Sequence, residues 1–251
     1  MIVQFYTMQT PEEALAVIEA GADHIGLTPS ARGLPGEIDI PTTQAIMQAT
    51  AGKAVRVALT VETTLPPIVE MVEAVRPDVL HLCPLTGTFG PEDVAELRLH
   101  FPGLPIMQAI SVAGRDAIME ARAYESLCEY LILDTQAPDI AGIGASGKTH
   151  DWSISRAIVE AVRVPVILAG GLSPRAFPGQ CRRFHPDGAS LGRRFVDPYQ
   201  PTAGCRWLPQ GHRQSAGLRP GSQIRWDRLR ATCPISMRRN RALAFCCCQK
   251  P

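Results

Sequence analysis

Three stretches of this 251-residue chain set chemically capable residues where short apolar runs stop. Asp134 closes the run YLILD (130–134). A carboxyl group at such an end can act as a general acid if burial raises its pKa, or it can simply cap a turn. LAGGLSP (168–174) ends another run with Gly170 and Gly171, whose backbone N–H groups could cradle a phosphate or form a plain turn. Between them, GASGKTHDW (144–152) is a glycine loop carrying Gly144, Gly147 and Lys148 that leads into a helical stretch with Asp151 near its start. Read from Gly142, the same residues fit the nucleotide-binding pattern G-x-x-x-x-G-K-[ST]. A phosphate loop of that kind follows its strand almost directly. Here seven residues including Pro138 separate Asp134 from Gly142, which argues against nucleotide binding.

The elements that must position these residues alternate. Short β-prone runs stand at 2–6, 24–27, 54–60, 79–83, 104–110, 130–134 and 164–170, and amphipathic stretches such as PEEALAVIEAGA, LPPIVEMVEAVRP and PEDVAELRLHF lie between them. Several helical stretches open with Pro at the first turn and acids beside it. Strict β, α alternation implies parallel strands covered by helices, and seven tandem units with nearly continuous apolar strands favour a (β/α)8 TIM barrel over a doubly wound sheet. Chemistry in such a barrel sits just past the strands' C-terminal ends, at Tyr6, Thr28 to Gly36, Thr60, Cys83, Ser111, Asp134 to Lys148 and Gly170 to Leu172. His24 and His81 fall inside strands and read as barrel-interior residues rather than metal ligands.

Charge divides the chain in two. Residues 1–174 hold 10 Lys+Arg and 21 Asp+Glu, whereas residues 175–251 hold 15 and 3, and 14 of those 15 cations are Arg. A basic arm that binds nucleic acid would set its cations on one helical face among aromatics; here Arg is scattered among Pro and Gly. Six of the eight cysteines lie in the tail without zinc spacing, so neither a metal nor an organic cofactor is expected. The opening residues show no basic and then apolar leader, and no run of eighteen apolar residues occurs. Both point to a cytoplasmic protein with no membrane partner.

LILDT, GASGKTHDW and LAGGLSP, in that order and spacing, resemble the phosphoribosylanthranilate isomerases of tryptophan biosynthesis, which read LLDT, GGTGKTFDW and LAGGL. TPEEALAVIEAGADHIGL is similar to that family's first helix and second strand, so the resemblance covers about residues 2–174. It implies a phosphorylated sugar substrate and an Amadori-type aldose–ketose isomerisation, with Asp134 as the acid that protonates the ring oxygen. It further implies a phosphate held by Gly170 and Gly171, and a mobile loop at Gly144 to Thr149. The family's base is the Cys of KICGIT; this chain reads QFYTMQT and has Tyr6 there, a far poorer base at neutral pH. Where the family has a serine-proline-arginine segment, TPSARGLPGEID offers Arg32. The departures keep two alternatives open: a divergent phosphosugar epimerase, lyase or aldolase, and a non-catalytic chain.

The eighth βα unit is disrupted as written. Residues 191–200 and 206–213 can each be encoded so that reading one nucleotide later gives WGVDSLTRTN and DGFRKDI, which resemble the family's last strand, closing turn and final helix start. The expected organisation is therefore a phosphosugar barrel at 1–174 and an aberrant, disordered or frameshifted tail at 175–251. With the eighth strand lost, strands one and seven are expected to stand as open edges.

Overall fold

The computed structural model describes residues 2–170 and 243–246. Eight parallel strands form a closed barrel: β1 (Ile2–Phe5), β2 (His24–Leu27), β3 (Val55–Thr60), β4 (Val79–Leu82), β5 (Ile106–Ser111), β6 (Tyr130–Asp134), β7 (Val166–Leu168) and β8 (Leu243–Cys246). Six helices separate the first seven strands: α1 (Pro11–Glu19), α2 (Ile40–Ala49), α3 (Leu65–Val75), α4 (Pro91–His100), α5 (Ala117–Tyr124) and α6 (Trp152–Ala161). The seven strands stand where the apolar runs place them, within about two residues at each end.

Five of the six helices, all but α5, begin for a reason visible in the first turn. Thr10 accepts a hydrogen bond from the Glu13 N–H at 3.2 Å, Asp39 from Thr42 at 2.8 Å and Asp151 from Ser153 at 2.8 Å. Such caps supply partners for N–H groups that a helix leaves unpaired at its start. Proline occupies the first or second position of α1 to α4, where its missing N–H costs nothing.

Strand alternation then builds two cores. Leu80, Leu82, Ile106, Ile110, Leu131 and Leu133 face outward and pack under the helices, while Val57, Val79, Met107, Ala109, Ile132 and Ile167 fill the barrel. At the N-terminal end of the barrel, Arg56 makes a bidentate pair with Asp78 at 2.6 and 2.7 Å and a third bond to the Met47 carbonyl at 3.0 Å. That ties β3, β4 and the end of α2 together.

The expected open edges are corrected by β8. Its backbone pairs with Val166 to Leu168 on one side and with Ile2 to Gln4 on the other. An unpaired strand edge is a template for any extended segment, and the apolar tetrapeptide LAFC fills the place. Among the described residues no helix follows β8. The rest of the tail, including the frame-shifted segments read at 191–213, lies outside the described residues.

Candidate active site

Asp134 ends β6 at the barrel mouth, and glycines close around its carboxyl group. A Cβ on Gly144 would stand 2.9 Å from Oδ2, and one on Gly170 would stand 2.8 Å from Oδ1. Both have positive φ, +108° and +83°, so glycine is required there by conformation as well as by space. Enclosure strips water from the carboxylate, and this desolvation raises Asp134 to about 7, against the opposing Thr135 N–H, which donates to Oδ1 at 2.7 Å. At neutral pH the group is then close to half protonated, the condition for giving a proton away.

Beside Asp134 lies a cavity of about 40 Å³ of space open to the centre of a water molecule, with Tyr6, Thr7, Thr28, Cys83 and the loop segment 140–145 among its walls. The other walls are apolar: Leu34, Pro35, Leu59 and Val61. Two of the lining residues hold left-handed backbone without being glycine, Thr7 at φ 64° and Ala145 at φ 57°. For a β-branched residue such as Thr7 this is strained geometry, of the kind that collects at functional sites.

The β6–α6 loop roofs this cavity. The Ile143 N–H donates to the Cys83 carbonyl at 3.0 Å, and the Gly144 N–H donates to the Thr135 carbonyl at 3.3 Å. Gly142 lies so close to the end of β4 that a Cβ there would be 2.4 Å from the Cys83 carbonyl oxygen. Gly147 has φ +62°, and the Lys148 side chain is exposed on the rim while its carbonyl accepts from Thr135 Oγ1 at 3.0 Å. Helix α6 starts after this segment, at Trp152 with Asp151 as its cap, so the residues matching the nucleotide-loop pattern do not wrap a helix start. Arg32 also sits at the rim, 2.9 Å from Glu62. Of the residues singled out from sequence, Asp134, Gly144 and Gly170 come together, Tyr6 shares the cavity wall with Gly144, while Gly147, Lys148 and Arg32 stand outside that wall, and Gly171 lies outside the described residues.

Tyr6 is buried, its ring flat against Gly26, where a Cβ would be 2.0 Å from the ring. Its hydroxyl turns down into the barrel, where Gln4 Nε2 donates to it at 3.0 Å and it meets His81 Nδ1. On the other side of that imidazole, Nε2 is 2.9 Å from Cys83 Sγ. His24 Nδ1 lies 2.9 Å from Gln4 Oε1, which completes a polar chain across the barrel interior. Burial pushes His81 down to about 3 and lowers His24 as well, so both rings are neutral at physiological pH. Cys83 stands too isolated along the chain to be nominated from its surroundings in sequence. The available signal was alternation: His81 and Cys83, like Gln4 and Tyr6, are two residues apart and must share the inner face.

Comparisons with known proteins bear on the fold and the family. The N-(5'-phosphoribosyl)anthranilate isomerase of Methanocella arvoryzae is 36% identical over 166 residues, covering 66% of this chain and 75% of that one. The phosphoribosyl anthranilate isomerase structure from Thermotoga maritima superposes with a TM-score of 0.57 at 22% identity, over 70% of this chain and 80% of the other. Another structure of such an isomerase, holding reduced 1-(o-carboxyphenylamino)-1-deoxyribulose 5-phosphate, gives a TM-score of 0.55 at 20% identity, over 70% and 78%. No protein-family model matches the chain.

Proposed function

The chain belongs to the phosphoribosylanthranilate isomerase family, and from that membership we propose that it isomerises a phosphoribosyl-amine to the matching deoxyribulose-amine in tryptophan biosynthesis. The observation that carries the reading is Asp134: a carboxyl group held near 7 at the barrel mouth, against the Gly144 that lines the cavity, is suited to protonate a ring oxygen and open the sugar. The apolar walls formed by Leu34, Pro35, Leu59, Val61, Ile140 and Ile143 suit an aromatic amine such as the carboxyphenylamino group bound by the relative. Gly170 and Gly171, with Gly144, Gly147 and Lys148 of the roofing loop, take the phosphate side. Arg32 on the rim exchanges Glu62 for an anionic group of the substrate.

The test is turnover of phosphoribosylanthranilate, followed by its fluorescence, for the parent chain and for Asp134→Asn. The amide keeps the shape and cannot give up a proton, so kcat falls about 10²- to 10⁴-fold, the usual contribution of a positioned acid. Circular dichroism checks that the fold is retained. A parent chain without turnover, or an Asp134→Asn variant with full turnover, refutes the reading.

A further inference from the structure

Resting on that isomerase reading, we propose that Cys83 is the base that removes the substrate's C2 proton, held as a thiolate by a chain of hydrogen-bond donors running from His24 through Gln4, Tyr6 and His81. Tyr6 stands where a base is expected, but its hydroxyl is engaged inside the barrel. Among the described residues that line the cavity, Cys83 is the other one whose side chain can ionise and so take a proton from carbon as a thiolate.

The direction of the chain follows from what each atom can do. The Gln4 carbonyl oxygen only accepts, so the His24 Nδ1–H donates to it. The Gln4 amide nitrogen only donates, and it faces two acceptors, Tyr6 Oη at 3.0 Å and Met107 Sδ at 3.9 Å. Tyr6, already accepting, donates its own O–H to His81 Nδ1. A neutral imidazole that accepts at Nδ1 carries its hydrogen on Nε2, and Nε2 points at Cys83 Sγ from 2.9 Å. Every donor in the run therefore faces the sulfur, and donors in series polarise one another. The titratable groups around the thiol are Tyr6 from β1, His81 from β4, His24 from β2 through Gln4, and Asp134 from β6 beyond Gly144. Among the described residues no charged side chain lines the cavity.

The chemistry balances with these two groups. Asp134 gives its proton to the ring oxygen, the C1–O bond breaks, and the nitrogen lone pair forms a C1=N bond. The Cys83 thiolate takes the C2 proton; the C–H electron pair becomes C1=C2 and the C=N pair returns to nitrogen, leaving a neutral enolamine and a thiol. The thiol proton then passes to C1, the C2 hydroxyl proton passes to the Asp134 carboxylate, and the ketone and both starting groups result.

The experiment uses the full chain and reads two independent quantities. Alkylation by iodoacetamide is followed against pH by mass spectrometry of the tryptic peptide that holds Cys83, so the tail cysteines do not interfere. Cys128, whose thiol burial pushes up to about 12, serves as the unreactive control. Tyr6→Phe removes the donor to His81 while keeping the ring. Without that donor His81 is free to carry its hydrogen on Nδ1, which withdraws Nε2–H from the thiolate, and loss of that hydrogen bond to a charged group should lower the alkylation rate of Cys83 at pH 7 about ten- to a hundredfold. On the turnover side, Cys83→Ser should lose at least about a hundredfold in kcat with KM little changed. Alkylation of Cys83 that does not respond to Tyr6→Phe overturns the donor chain, and a Cys83→Ser variant that keeps parental kcat overturns the base role. A parent chain without turnover overturns the isomerase reading and the base role with it, whereas loss in Asp134→Asn alone leaves the reading standing and sinks only Cys83.

Discussion

Replacing Gly144 by alanine tests whether the raised Asp134 is a product of enclosure. The new Cβ would lie 2.9 Å from Asp134 Oδ2 on backbone with φ +108°, so the loop must lift away from the carboxyl group. Lifting admits water, and Asp134 falls from about 7 toward its ordinary value of 3.8. At pH 7 the protonated fraction then drops from about one half to below about one in a thousand, since each pKa unit is a factor of ten. The stability consequence has a definite sign. In the parent, the unfolded chain ionises Asp134 near pH 4 while the folded chain keeps the proton until about 7, so folding loses stability as pH rises through that window. At about 1.4 kcal/mol per unit, the full cost above pH 7 is roughly 4 kcal/mol. Gly144→Ala adds about 1–3 kcal/mol of backbone strain at every pH and removes much of the ionisation cost above 7. The variant is thus most destabilised relative to the parent near pH 4, and the deficit shrinks or inverts by pH 8. Carbon-13 NMR of labelled aspartate, assigned with Asp134→Asn, reads the titration, and urea melts at pH 4 and 8 read the stability. A parent Asp134 that titrates near 4, or a stability deficit independent of pH, refutes the reasoning.

Other consequences can be checked alongside. Gly26→Ala drives a Cβ to 2.0 Å from the Tyr6 ring inside a buried barrel, so it should destabilise by about 3 kcal/mol or more, and adding Tyr6→Val should recover much of that loss in a double-mutant cycle. Asp78 is held below the usual carboxylate range chiefly by its hydrogen bond from Arg56, so its contribution is present above about pH 4 and lost as pH falls further. Asp78→Asn should therefore cost about 1 kcal/mol at pH 7, as partly exposed ion pairs do, and little at pH 2 in acid-titrated melts. Determining the nucleotide sequence across codons 165–230 from an independent template should reveal a single-base correction that restores WGVDSLTRTN and DGFRKDI; an unchanged frame removes the proposed frameshift.

How much was legible depended on whether a signal lay within one segment. The seven apolar runs became β1 to β7 because each is buried on both faces, and continuous hydrophobicity needs no partner to be recognised. Asp134 was legible because a carboxylate ending an apolar run is conspicuous. Helix α2 was harder to see: its threonines and glutamines blur the apolar stripe, and its start rests on Asp39 and Pro41. The pairing of Tyr6 with His81 could not be read at all, since it joins β1 to β4 across the barrel lumen, a relation fixed by closure of the sheet and not by spacing along the chain. Gly144 and Gly170 point to phosphate contact through their backbone, and both also press on the Asp134 carboxyl group, a neighbour that becomes visible only once the loop is folded back.

The roof over the mouth also sets how this site can be filled. A cavity of about 40 Å³ holds a few water molecules, whereas ligand pockets run to several hundred cubic ångströms. A phosphorylated sugar bearing an aromatic ring can be admitted only when the loop breaks the bonds from Ile143 to Cys83 and from Gly144 to Thr135. Association is then gated: the observed binding rate should rise with ligand concentration and level off at the opening rate of the loop, and the apparent affinity is weakened by the fraction of molecules that are open. Product leaves through the same gate, so the rate at which a strip of glycines, alanine and isoleucine lifts off the end of the fourth strand sets an upper limit on turnover in this barrel.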